Sequence, residues 1–289
     1  MAKNAYLFFI DDSKSGIDNF TLEEVQLKVG ESKADNLFLV LKSRGGSPFS
    51  AIAIMNILHT RFAKITTIIP QYAKSAATLM SLGTDEIYMF ESSALGPLDL
   101  PIEHHRDGSR ISALDVQNTP TSMADLVESI AISRYDFLRE RGISTYEASR
   151  VALENATEFL KPIIEQVDPY HLQKAQRELV IGFRYAKDML QSRMMKDNPE
   201  TAKNTAKCLV QDFPAHEFCI YPKDAKEILN LTIKNLDKLA EWDRDLKPKY
   251  TRVKNKPYYI EFGILESQDD ASLKKQPEEK TKIRHATKR

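Results

Sequence analysis

The chain has 289 residues, 42% hydrophobic and 28% charged, and its 41 Lys plus Arg balance its 41 Asp plus Glu. This is the composition of a soluble globular protein with ample material for a core, and the zero formal charge excludes an overall field that favours nucleic acid or anionic lipid. No apolar run approaches the roughly 18 residues of a membrane span. The two cysteines, Cys208 and Cys219, are too far apart for a CxxC motif, so they imply no disulfide framework and no metal site; reduced thiols in a cytoplasmic protein are expected.

Ala5 to Ile10 reads as a first strand, and because acidic residues follow at once without a small-residue cleavage site, it is not a signal peptide. Asp11 to Asn19 reads as a loop, and Thr21 as the cap of a helix in which Glu24 closes a capping box. Asn36 to Leu41 is a continuous apolar run, which is how a strand covered on both faces reads. It breaks into Lys42-Ser43-Arg44-Gly45-Gly46-Ser47-Pro48, after which Ala51, Ile54, Met55, Ile57 and Leu58 recur with helical period to about Phe62. Lys64 to Ile69 is a third strand.

The stretch from Tyr72 to Pro97 carries the first chemical signal. Ser75 stands at the mouth of a helix of small and apolar residues, Ala76, Ala77, Leu79, Met80 and Leu82, which Gly83 ends before the strand Glu86 to Met89. A hydroxyl at a buried helix start is a reasonable place for a nucleophile, although serine is also a common helix cap. The order of strands and helices with short connections implies an α/β domain with a mainly parallel sheet, in which chemistry gathers at the carboxyl ends of strands. The Gly45-Gly46 turn and Ser75 both follow strands and should share that edge. The turn itself has two readings: a tight turn that needs positive φ, or a pair of fixed N–H groups aimed at a developing oxyanion. It matches neither phosphate-binding glycine pattern, GxGxxG or GxxxxGK[ST].

From Ser122 the composition changes. Met123 to Arg139, Ser144 to Gln166 and Pro169 to Met195 read as helices, and Asn198-Pro199-Glu200 opens another that reaches about Val210. Phe218 to Ile220 is strand-like, Pro222 to Ile228 a short helix, Asn235 to Trp242 a further helix, and Tyr258 to Phe262 a last strand. The resulting division is residues 1–121 as the first part of the core, 122–212 as a helical subdomain, 213–265 as the second part of the core, and 266–289 as a disordered charged tail. Trp242 and the basic stretch Arg244 to Lys256 could contact a partner, but read better as a solvated face. His59 and His171, in helical stretches, read as structural, and His285 falls in the tail.

The segments LKSRGGSPFSA, YAKSAATLMSLGTDEIYM, SSALGPLD and FPAHEFCIYPKDAKEIL, in that order, resemble the serine dehydrogenase proteinase family of the Clp/crotonase superfamily, over roughly residues 5 to 235. The resemblance implies a Clp/crotonase-like fold with a mainly parallel β-α-β core and a helical insertion, and a serine peptidase acting through an acyl-enzyme on Ser75. It also implies an oxyanion hole from the Gly45 and Gly46 N–H groups, no cofactor, and assembly into a homo-oligomer. Arg44 departs from the family, where many relatives carry proline, and so does Asn230, where the superfamily has a glycine. The positions at which Clp protease has its histidine and aspartate are filled here by Asp99 and His216. A triad of Ser75, His216 and Asp99 with the two partners exchanged is therefore expected, since a triad is defined by geometry and not by chain order. His104 and His105 are the alternative bases, and Asp99 and His216 have structural readings as a turn cap and a buried hydrogen-bonding histidine. No HExxH or spaced third ligand supports zinc. An acyl-CoA thioester enzyme and a non-catalytic oligomeric scaffold of the same fold are the competing functions; peptide or protein is the expected partner of the first reading.

Overall fold

The computed structural model describes residues 3–30, 32–98, 101–104 and 107–265. In chain order these form β1 (Asn4–Asp11), α1 (Asn19–Val29), β2 (Asn36–Ser43), α2 (Pro48–Arg61), β3 (Lys64–Ile69), β4 (Tyr72–Ala73), α3 (Ala76–Leu82), β5 (Glu86–Met89), β6 (Ala94–Leu95), β7 (Pro101–Glu103) and β8 (Arg110–Ser112). Then come α4 (Ala113–Glu140), α5 (Thr145–Ile164), α6 (Pro169–Ser192), α7 (Pro199–Gln211), α8 (Pro222–Glu227), β9 (Ile233–Asn235), α9 (Lys247–Val253) and β10 (Tyr258–Ile264).

The main sheet runs β10-β1-β2-β3-β5-β9, parallel throughout except for the antiparallel edge pair β1–β10. The chain is thus an α/β fold with a mostly parallel sheet. Alternation along the strands sends Leu7, Phe9, Leu39 and Leu41 to one face, into a core shared with α1, α2, α3, α6 and α7. Phe8, Ile10, Val40 and Ile68 go to the other face, where Leu236, Leu239, Trp242, Leu246, Tyr250 and Val253 cover them. Two covered faces are why the strands read as uninterrupted apolar runs.

Trp242 is 2% exposed, so the stretch read as a solvated face is a second core. The helix expected over 235–242 is only a 3-10 turn at Leu236–Lys238, followed by a π turn at Trp242–Leu246 and then α9. Its apolar contacts recur at Leu246, Tyr250 and Val253, with lysine and arginine on every intervening turn, and that interleaving hid the helix. The α1 cap also differs by a turn. Asp18 accepts from the Thr21 N–H and Thr21 closes the box, while Glu24 instead takes the hydroxyl of Tyr258 on β10. Helix α4 starts at Ala113, ten residues before the expected start, capped by Ser112 and carrying Pro120 within it.

Helix α6 buries Ala175, Leu179, Gly182, Ala186 and Leu190 along one stripe, and its small residues Ala175, Gly182 and Ala186 let it lie closely on α3 and α7. At its end Arg193 donates to the carbonyls of Phe62 (2.6 Å) and Ala63 (2.9 Å) and to Asp85 Oδ2 (2.9 Å), tying the helical region to the sheet. The Arg193 side chain is 13% exposed. Arg193→Ala is expected to lower the unfolding free energy by about 2 kcal/mol, because two carbonyls and a carboxylate lose one shared donor. Urea denaturation of both proteins measures it, and Arg193→Lys should recover part of the loss. His59 is structural as well: its Nε2 lies 2.6 Å from the Gly83 carbonyl, and burial pushes its pKa below the ordinary value.

Candidate active site around Ser75

Ser43, the last residue of β2, pairs with Ala73 of β4, and β4 pairs in turn with β6. This sets the Gly45-Gly46 turn, Ser75 and Gly96 side by side at the carboxyl ends of their strands. Lys74 N–H donates to the Ser43 carbonyl (3.0 Å), and Thr78 Oγ1 bridges the Ala73 carbonyl (2.7 Å) to the Gly96 N–H (3.0 Å). These three bonds fix the backbone that leads into the serine and tie it to Gly96.

Ser75 has φ 49 and ψ −120, a conformation that L side chains rarely adopt. It holds the cap position of α3, yet its side chain makes no capping hydrogen bond. The capping reading of this serine therefore fails. The residue is 8% exposed, with its Cβ pressed against the glycine turn: a Cβ added at Gly45 would stand 2.8 Å from that of Ser75 and 3.1 Å from the Ala76 nitrogen.

Gly45 (φ 107) and Gly46 (φ 149) both have backbone that requires glycine. The turn is pinned by Ile17, whose N–H donates to the Gly45 carbonyl (2.9 Å) and whose carbonyl accepts from Ser47 N–H (2.7 Å). The Gly45 N–H is occupied by Ser43 Oγ at 3.0 Å. Gly46 is exposed, and its N–H has no hydrogen-bond partner among the described residues. Ala76, as the first residue of α3, has no partner for its N–H within the helix. Sequence reading missed Ala76, although the residue after a nucleophilic serine is a recurrent oxyanion donor.

His216 is half-buried on the segment between α7 and the bridge at Ile220. That bridge exchanges two hydrogen bonds with Leu95, at 2.9 and 3.0 Å, just before Gly96. Asp99 and His105 lie outside the described residues; the N–H of Leu98, next to Asp99, donates to the Leu209 carbonyl at 2.8 Å. His104 faces Asp107 (3.0 Å) and the edge of the His171 ring, in a cavity between α4, α5 and α6. The Asp107 carboxyl is held down to about 2, by the Ser109 hydroxyl and N–H first and by His104 after them. Asn230, where the superfamily has glycine, adopts φ 53, a left-handed conformation that asparagine tolerates.

Beside Ala76 lies a narrow hollow lined by Pro48, Leu79, Leu98, Gly182 and Tyr185, so α6 supplies part of the wall next to the serine. Phe49 packs edge-on against Tyr185 at its rim. Among the described residues there is no cluster of three or more His, Cys, Asp or Glu suited to a metal. Burial and Asp212 raise the Cys208 thiol to about 11, which keeps it protonated.

Two uncharacterized proteins of Methanocaldococcus jannaschii are similar to this chain, one 32% identical over 77 residues and the other 35% over 75 residues. Each match spans about a quarter of both proteins: 27% of this chain and 27% of the first relative, 26% and 26% for the second. Among solved structures, a membrane-bound stomatin-specific protease, a lysine-to-alanine mutant in complex with a substrate peptide, aligns at 13% identity and a TM-score of 0.45 over 81% of this chain and 76% of that one. A serine-to-alanine mutant of the stomatin-specific protease aligns at 17% identity and a TM-score of 0.30 over 46% and 63%. Residues 22–133 match the family model described as ClpP-like SDH-type serine proteinase. That segment, which contains the Gly45-Gly46 turn and Ser75, is similar to the ClpP-like SDH-type serine proteinases.

Proposed function

We propose that the protein is a serine peptidase that hydrolyses peptide bonds through an acyl-enzyme on Ser75. The observation that carries this reading is the serine itself: a cap-position hydroxyl that caps nothing, in a strained backbone conformation, pressed against a positive-φ glycine turn. Strain of this kind persists only where the surroundings over-determine it, and it concentrates at active sites.

In the proposed cycle Ser75 Oγ attacks the scissile carbonyl while His216 takes its proton. The imidazolium then protonates the leaving amine, and water repeats the sequence in reverse to release the acid. Asp99 holds the imidazole. The oxyanion falls to backbone N–H groups at the Gly45-Gly46 turn, together with that of Ala76. Of the two turn donors Gly46 is the freer, since Gly45 N–H already serves Ser43. Fixed donors of this type are each worth about 10²–10³ in rate.

We further propose a homo-oligomer whose contacts include the α4–α5 hairpin, where Ile132, Tyr146, Leu153 and Phe159 are 55%, 78%, 56% and 70% exposed. No helix among the described residues is long and apolar enough to cross a membrane, which fits the proposed cytoplasmic location.

A fluorophosphonate probe tests the peptidase reading directly. The intact protein should label, and Ser75→Ala and His216→Ala should not. Absence of label on folded intact protein would count against a peptidase. Label retained in His216→Ala would move the base to His104 or His105.

A further inference from the structure

Lys74 has no part in the chemistry above, yet it joins the two halves of the proposed site. Its stem crosses Gly96 so closely that a Cβ there would stand 2.7 Å from Lys74 Cδ and 3.3 Å from its Cα. Beyond Gly96 its Nζ donates to the carbonyls of Phe218 (2.8 Å) and Glu217 (3.3 Å) and to the thiol of Cys219 (3.1 Å). These three residues are the ones that immediately follow His216. The residue next to the nucleophile therefore grips the residues next to the base.

We propose that Lys74 is a positioning residue for the general base: its ammonium fixes the 217–219 backbone and thereby sets where His216 meets Ser75. The proposal rests on the peptidase reading of those two residues. Its physical basis is that hydrogen bonds from an ammonium are about twice as strong as neutral ones. Among the described residues few other backbone bonds hold this segment. Phe218 N–H turns back to the Ala215 carbonyl (3.0 Å), and only at Ile220 does the chain join β6. Without Nζ the Glu217 and Phe218 carbonyls would lose their shared charged donor, and the described contacts that remain at Phe218 are its turn to Ala215 and its ring contact with Phe213. A displacement of about 1 Å at a catalytic group costs on the order of 10²-fold in rate.

Three variants of the full chain decide it: Lys74→Met, Lys74→Arg and Gly96→Ala. Each is assayed for peptide kcat and KM, fluorophosphonate labelling rate and Tm. Lys74→Met should lose about 10²-fold in kcat and in labelling rate, with KM within about twofold and Tm within a few degrees. Lys74→Arg should recover most of the loss, because a guanidinium can still donate to two carbonyls. Arginine cannot accept a proton, so that rescue also separates positioning from a role for Lys74 as the base itself. An arginine variant as slow as the methionine one overturns the proposal, as does a folded Lys74→Met that labels at the intact rate. If Lys74→Met does not fold, Gly96→Ala carries the test, since its methyl displaces the stem and leaves the ammonium. Labelling slowed severalfold at unchanged Tm supports the clamp, and unaltered labelling sinks it. Should the intact protein fail to label, the peptidase reading fails and the clamp with it; that result is distinct from normal intact labelling with unaffected variants.

Discussion

Ser75→Ala and Ser75→Gly are both expected to lower peptide turnover by about 10⁴-fold or more, but Ser75→Gly should melt at the higher temperature. Losing the nucleophile of a triad removes the acyl-enzyme route and leaves only what the oxyanion donors and substrate binding supply. The stability difference has another origin. At φ 49 and ψ −120 any Cβ crowds its own backbone, a strain worth about 1–3 kcal/mol at such positions. Alanine keeps that Cβ and glycine discards it. Glycine also gains about 0.5–1 kcal/mol of unfolded-state freedom, which leaves a net advantage of roughly 1 kcal/mol over alanine. Thermal melts of the two variants give the answer, and equal or reversed Tm values would mean that Ser75 stores no strain.

Gly45→Ala should be the most damaging change that removes no reacting group. Its Cβ would stand 2.8 Å from both the Lys74 carbonyl oxygen and Ser75 Cβ, at φ 107. The turn can accept the methyl only by moving away from the serine, which pulls the neighbouring N–H groups from the oxyanion. Turnover should fall about 10²–10³-fold, the usual effect of losing one such donor, and stability by about 2 kcal/mol or more. Gly142→Ala separates clash from strain. Gly142 also has positive φ, 80, but a Cβ there meets nothing within 4 Å. It should cost about 1 kcal/mol of stability and leave turnover unchanged. Comparable activity in Gly45→Ala and Gly142→Ala would show that the turn does not have to touch Ser75.

The parts of this molecule legible in the sequence are those whose physics is local. The apolar run at Asn36 to Leu41 and the small residues behind Ser75 read correctly as a covered strand and a buried helix, because neighbours along the chain set both. Strands β4 and β6 were not legible. With two residues each they have no period, and only the pairing of β4 with β2 and of β6 with β4 defines them. Trp242 was misread for a related reason: the face it covers belongs to β1, β2 and β3, far back in the chain. At the site, Ser75 and the glycine turn were visible as residue types, whereas the Ala76 N–H is a backbone group on a residue whose side chain has no chemistry of its own. The contact from Lys74 to Phe218 spans 144 positions and leaves no local trace. Asp99 remains a proposal from the resemblance, outside the described residues.

The register of the edge pair has a consequence in time. Strand β1 is residues 4–11, and its antiparallel partner pairs Ala5 with Ile264 and Asp11 with Tyr258. On a ribosome adding about 5–20 residues per second, some tens of seconds separate the synthesis of the two strands. During that interval Tyr6 to Ile10 can join β2 and β3 as they emerge, but their outer rank of N–H and C=O groups stays open, with Phe8 and Phe9 beside it. An open apolar edge of this kind is a template for other strands. The nascent chain is thus most vulnerable to pairing with its neighbours on a polysome, and any protein that shelters it during translation has β1 as its first customer.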